Sequence, residues 1–130
     1  MQRVKLANFT LHDQTHYILM WKRFGFDLDP TPRAPLIRFE KEEWTEERIL
    51  EEVKRALTSI KEEGFEAIII GGLSNVMAYA WYLASQMGLR VIMAKTPRLR
   101  TPDGKFVFVL MGLQELLDPI QVLEKSQKKK

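Results

Sequence analysis

Three short polar segments in this chain each follow an apolar run and hold residue types suited to binding or moving charge. The first is Asn8, Thr10, His12 and Gln14, the second Gly71-Gly72-Leu73-Ser74-Asn75, and the third Lys95-Thr96-Pro97-Arg98. Paired glycines let the backbone approach an anion closely, and a helix that follows them presents free N–H groups and a positive dipole end. Gly71 and Gly72 with Leu73, Ser74 and Asn75 therefore suit a phosphate; the plainer reading is a tight strand-to-helix turn. Lys95 and Arg98 suit electrostatic clamping of phosphates, with Thr96 between them as a hydroxyl partner, against the alternative of a solvated loop. His12 has the intrinsic acidity of a proton carrier near neutral pH, and it also reads as an ordinary loop residue. His16 falls on a helix and reads as structural. The segments lack the lysine of a P-loop and match no Gly-x-Gly-x-x-Gly pattern, which weighs against ATP hydrolysis and NAD binding.

The rest of the composition narrows the chemistry. Cysteine is absent, so disulfides, thiol nucleophiles and cysteine-based zinc sites are excluded. His12 and His16 are four apart with no Glu-x-x-His around them, so no metal and no cofactor are expected. The formal charge is 20 − 17 = +3, equal to the three lysines Lys128, Lys129 and Lys130, so the remainder is near neutral. Within it, residues 40–63 hold nine acids against five bases, which read as the solvated side of a helix. Residues 90–105 hold five bases, Arg90, Lys95, Arg98, Arg100 and Lys105, against Asp103 alone, and an anion is expected near them. With 130 residues, 45% hydrophobic and 28% charged, the chain reads as one globular domain over 1–124, with a basic tail at 125–130 expected to lack fixed structure. No apolar run reaches the roughly 20 residues of a bilayer span, and no export signal follows the basic start, so a cytoplasmic protein without a membrane partner is expected.

Periodicity supplies the elements that must position these segments. Alternation predicts a strand at about 4–9, and Tyr17, Ile18, Met20, Trp21 and Phe24 predict a helix over 13–24 closed by Gly25. Asp29-Pro30-Thr31-Pro32 reads as a loop and Pro35–Phe39 as a second strand. Thr45 followed by Glu46 and Glu47 starts a helix whose apolar stripe runs from Ile49 to Ile60 and stops at Gly64. Ala67–Ile70 and Arg90–Ala94 are β-branched runs of the kind buried on both sides of a parallel sheet. Between them an almost wholly apolar helix is predicted over 75–87, with Tyr79, Trp81 and Tyr82 suited to a partner subunit. Thr101–Gly104 reads as a turn before a fifth strand at 106–110, and residues 113–124 as a last helix. Alternating strands and helices build a small Rossmann-like α/β sandwich of three layers around a mostly parallel sheet. In such folds ligands bind beyond the carboxyl ends of the strands, where the three polar segments fall.

The run from Ala67 to Asn75, the apolar helix with Tyr79, and Gly88-Leu89-Arg90-Val91-Ile92-Met93-Ala94-Lys95-Thr96-Pro97-Arg98 resemble the small stand-alone ring nucleases and cyclic-oligoadenylate binders of type III CRISPR systems. Those proteins share the CRISPR-associated Rossmann fold (CARF). Asn8-Phe9-Thr10-Leu11-His12 with Gln14 is similar to the Asn-Phe-Ser-His opening of several of them, except that Leu11 here separates the hydroxyl residue from the histidine. The resemblance implies a homodimer enclosing a ring of adenylates, such as cyclic tetra-adenylate, on its twofold axis. It also implies metal-free cleavage, a lyase-type step in which the ribose 2′-hydroxyl attacks its own phosphodiester and switches off an antiviral signal. In that reading Lys95, Arg98 and His12 are catalytic, and Asn8, Thr10, Gly71, Gly72, Leu73, Ser74, Asn75 and Thr96 bind ligand. Two alternatives stay open: a non-catalytic binder that sequesters or senses the ring, and a small regulatory or nucleic-acid-binding subunit using the basic tail. A stable partnership with a nucleic-acid duplex is not expected, because three terminal lysines give weak, unspecific attraction.

Overall fold

The structure, a computed structural model, describes residues 3–36, 45–71, 75–95, 98–108 and 112–128. Among these the chain forms a five-stranded sheet with helices on both faces, a Rossmann-like α/β sandwich. In chain order the elements are β1 (Val4–Asn8), a 3₁₀ turn (Thr15–Tyr17), α1 (Ile18–Arg23), β2 (Phe26–Pro32), α2 (Glu46–Glu62) and β3 (Ala67–Ile70). There follow α3 (Asn75–Gln86), β4 (Arg90–Lys95), β5 (Arg98–Arg100), β6 (Phe106–Phe108), β7 (Gly112–Leu116) and α4 (Pro119–Lys128). The sheet order is β2-β1-β3-β4-β7, with β2, β1, β3 and β4 parallel and β7 antiparallel to β4. The strands β5 and β6 pair separately as a two-stranded ribbon.

Side-chain alternation divides the core between the faces. Ala7, Phe9, Ile68, Ile70 and Val91 pack with α2 and α3, while Leu6, Ala67, Ile69 and Ile92 pack with Trp21 of α1 and with Phe26 and Leu28. The stripe Ile49, Val53, Leu57 and Ile60 of α2 is buried as its spacing predicts, each side chain stabilising the fold by roughly 1.5–3 kcal/mol through burial. Thr45 caps α2 by accepting a hydrogen bond from the Arg48 amide at 3.2 Å. Gly64 beyond its end takes φ +92°, a left-handed conformation that disfavours residues with a side chain.

Several local expectations are corrected. The segment Asp29–Pro32 is strand, not loop, because β2 is an edge strand with Phe26 and Leu28 buried and Asp27 exposed in between. Proline lacks a ladder donor, a deficit that an edge tolerates. Pro35 and Leu36 lie outside any strand, and residues 37–39 of the expected second strand lie outside the described residues. The first helix is only six residues long, since Asp13 accepts the Thr15 amide at 2.8 Å and the Gln14 amide bonds to Pro30, shaping the preceding stretch as turn. Residues 113–116 are strand, not helix: they pair with β4, and Asp118 starts α4 by accepting the Ile120 amide at 2.9 Å. The expected fifth strand lies at Phe106–Phe108, in the ribbon and not in the main sheet, and residues 109 and 110 lie outside the described residues. The helix α4 runs to Lys128, through much of the expected tail. No helix among the described residues is long and apolar enough to cross a membrane.

Hydrogen bonds tie the apolar helix α3 to neighbouring elements of the chain. Tyr79 donates its hydroxyl to Glu46 of α2 at 3.2 Å, and the Trp81 indole donates to the Leu117 carbonyl at 2.7 Å. Gln86 donates to Asp118 at 3.0 Å, so the corner between β7 and α4 is fastened to α3. Of the three aromatic residues expected at a subunit contact, Tyr82 is the exposed one, at 42%.

Candidate functional site

Strand order places the candidate site. From β1 the chain moves outward to β2 through α1 on one face, then returns past β1 to β3 through α2 on the other. The carboxyl ends of β1 and β3 thus flank the point where the order reverses, the place where open α/β sheets leave a crevice for a ligand. Register brings the three polar segments level: Asn8 lies beside Ile69, and Ile70 beside Met93, two residues before Lys95. Thr10 and Gly71 are in near contact across this edge, since a side-chain carbon added to Gly71 would meet Thr10 Cγ2 at 3.4 Å.

The β1 segment is wired to itself. Asn8 is wholly buried, and its Nδ2 group donates to the carbonyls of His12 at 2.7 Å and Pro30 at 2.9 Å. Its Oδ1 accepts the Thr10 hydroxyl at 2.6 Å, and Thr10 Oγ1 accepts the His12 amide at 3.3 Å. The reason lies in the neighbouring strand. Between Ala7 and Asn8 the pairing with β2 jumps from Asp29 to Pro32, leaving Pro30 and Thr31 as a bulge without ladder partners. Asn8 takes the Pro30 carbonyl and Asp29 takes the Thr31 amide at 3.0 Å, so side chains replace the missing backbone bonds. Asn8 and Thr10, singled out as ligand contacts, are thus bonded within the fold, and what they hold out to solvent is His12, which is exposed.

At the centre, Gly71 follows β3 and is exposed, and Gly72, Leu73 and Ser74 lie outside the described residues. Asn75 opens α3 exposed, its Oδ1 accepting the Val76 amide at 3.0 Å. On the far side Lys95 closes β4 opposite Gly112 of β7, and Arg98 opens β5 opposite Phe108; Thr96 lies outside the described residues. Backbone placement therefore gathers His12, Gly71, Asn75 and Lys95 at one edge, with Arg98 three residues beyond.

Two further groups matter for charge. Arg33, just past β2, is paired with Asp29 at 3.1 Å and with Glu63, and lies 4.8 Å from the Phe65 ring centre. Glu63 above all holds the guanidinium proton on, so this cation at the carboxyl edge of the sheet is already neutralised. Hydrogen bonding from Thr31, aided by Arg33, holds the Asp29 carboxyl below the usual carboxylate range. Sequence spacing gives no sign of a pair thirty residues apart. In contrast, Arg100 and Lys105, read at first only as local charge, are exposed on the ribbon and form no ion pair with any described residue.

No group of three His, Cys, Asp or Glu residues able to hold a metal ion occurs among the described residues. A depression of about 450 Å³ lies between Glu51, Lys54, Arg55, Thr58, Ser59 and Glu62. All its walls come from the solvent side of one helix, away from the strand ends, so it is a valley between side chains and not a crevice of the fold. No protein-family model matches the chain, and no curated protein matches it.

Proposed function

We propose that the chain binds a cyclic oligoadenylate, cyclic tetra-adenylate in the first instance, between two copies of itself and opens the ring by attack of a ribose 2′-hydroxyl. The observation that carries this reading is the convergence of His12, Gly71, Asn75 and Lys95 at the strand-order reversal, next to a segment where Lys95, Arg98, Arg100 and Lys105 stand against Asp103 alone; the remaining base, Arg90, is paired with Glu115 at the other end of β4. A twofold pair doubles each group, giving a cradle suited to a symmetric anion. Alignment for in-line attack does most of the chemistry in such a step, and cations stabilise the charge gathering on phosphorus. Lys95 and Arg98 take that part, Asn75 and the segment after Gly71 hold phosphates, and His12 carries the proton. Asn8 and Thr10 enter as positioning residues that fix the loop bearing His12.

The internal bonding of Asn8 and Thr10 also favours a second reading, a binder that holds the ring intact, because it leaves His12 as the single candidate proton carrier of the β1 segment. One assay separates them: incubation with cyclic tetra-adenylate in EDTA, resolving products by chromatography and measuring the bound fraction. Linear products ending in a 2′,3′-cyclic phosphate support the enzyme, tight binding of intact ring supports the binder, and absence of binding overturns both. Duplex binding that falls steeply with salt would point instead to a nucleic-acid-binding subunit.

A further inference from the structure

The main sheet has two edges, and they are built differently. The β2 edge carries Pro30 and Pro32, a bulge that breaks its register with β1, and the carboxylates of Asp27 and Asp29. Prolines, bulges and charges are devices that stop a bare edge from pairing with another chain. The β7 edge lacks the first two. Gly112-Leu113-Gln114-Glu115-Leu116 holds neither proline nor lysine, and its register with β4 runs unbroken from Lys95 opposite Gly112 to Val91 opposite Leu116. Its one charge, Glu115, is taken up by Arg90, whose Nε donates to it at 2.6 Å. Among the described residues no strand pairs with the outer side of β7, so that row of backbone N–H and C=O groups has no ladder partner there.

Apolar surface accompanies this edge. Leu116 packs on the α2–α3 side of the core and Leu113 on the α1 side, and both are only half-buried. Beyond the strand Leu117 is exposed, and α4 exposes every residue from Ile120 to Gln127, with Ile120 at 44% and Leu123 at 62%. A helix of ten residues is marginal in water unless an apolar face is packed, and among the described residues α4 lacks that cover.

A second copy of this chain fits the surface. Copies cannot pair β7 with β2 into an open filament, because the prolines and bulge block the β2 edge. The pairing left to them is β7 with β7, antiparallel and closed by a twofold axis. With the axis at Gln114, Gln114 lies opposite the partner's Gln114, Leu113 opposite the partner's Glu115 and Gly112 opposite the partner's Leu116. No like charges are opposed in this register, so the edge is complementary to itself.

We propose that β7 is the seat of a homodimer in which two five-stranded sheets join edge to edge, with Leu117, Ile120 and Leu123 flanking the seam. The contact does not depend on the oligoadenylate reading. In an antiparallel pair the β4 strands of the two copies run in opposite directions, so their carboxyl edges point away from each other. A ring held between facing carboxyl edges joins a different pair of copies.

The test is sedimentation equilibrium of the full chain without nucleotide, with amide hydrogen exchange as a second readout. The wild type is expected to be a dimer whose Gly112–Leu116 amides exchange faster on dilution. Gln114 is exposed, so Gln114→Lys and Gln114→Glu should keep the wild-type unfolding midpoint. Each variant sets like charges opposite one another and is expected to raise the dimer dissociation constant roughly fivefold. An equimolar mixture of the two should recover wild-type association, because lysine then opposes glutamate, a recovery that a contact elsewhere on the surface would not give. Leu123→Glu is expected to weaken the dimer with the fold intact. A wild type that stays monomeric overturns the proposal and leaves the oligoadenylate reading standing. A dimer indifferent to both Gln114 variants, or a mixture that recovers nothing, overturns it as well.

Discussion

The two ends of the sheet's carboxyl edge use polar residues in opposite ways. On the β1–β2 side Asn8, Thr10, Asp29 and Arg33 bond to one another, to backbone groups of the bulge and to Glu63. On the β4 side Arg100 and Lys105 stand exposed without an acidic partner among the described residues. A polar residue at a strand end is therefore ambiguous until its partners are known. The first side is a scaffold whose disruption should appear in stability, and the second a charged surface whose disruption should appear in affinity.

The sharpest break of this contrast is Asn8→Ala. It removes three hydrogen bonds made by a wholly buried side chain, each contributing about 0.5–1.5 kcal/mol, while the Pro30 carbonyl keeps the Gln14 amide and the Thr10 hydroxyl keeps the His12 carbonyl. We expect a loss of about 3 kcal/mol in urea unfolding, and any change in ring affinity should disappear where the variant is still folded. Lys95→Ala and Arg98→Ala test the other side. Each is expected to weaken ring binding by about 1–3 kcal/mol, with unfolding midpoints unchanged, and the wild-type affinity should fall as salt is raised. If Lys95→Ala unfolds the chain while Asn8→Ala leaves it stable, the contrast is wrong. His12→Ala lies between them: lost turnover with retained binding and stability would make it catalytic, whereas unchanged turnover would remove it from the mechanism.

The contrast also explains what the sequence made legible. Buried runs such as Ala67–Ile70 and the stripe of α2 were readable because burial imposes a period on residue types. Three polar segments at strand ends were readable for the same reason, since a strand must stop where its apolar run stops. Which of their residues were scaffold was not, because the partners of Asn8 include Pro30, twenty-two residues away, across a bulge that no local pattern announces. Asp29-Pro30-Thr31-Pro32 misread as loop for a related reason: proline excludes a central strand, yet at an edge the missing donor costs nothing. The residues 113–116 misread as helix because Leu113, Leu116 and Leu117 suit a helical stripe, while the pairing with β4 that decides the matter is non-local.

A smaller effect tests the scaffold side through pH. The Asp29 carboxyl sits below its ordinary range, first through the Thr31 amide and also through Arg33. A carboxyl depressed in the folded state binds its proton more readily in the unfolded chain, so its contribution to stability is complete above the unfolded value near 3.9. That contribution is lost as pH falls through the lower folded value. Asp29→Asn should therefore flatten the fall in unfolding free energy below about pH 4 and leave the curve at pH 6–8 parallel to wild type. The site is partly open to solvent, so the change in slope will be modest. Ring affinity at pH 7 should not respond to Asp29→Asn, because the bulge it braces lies on the side whose polar groups face inward. A variant that weakened binding without altering the acid limb would instead place Asp29, and with it the β2 end, among the groups that meet the ligand.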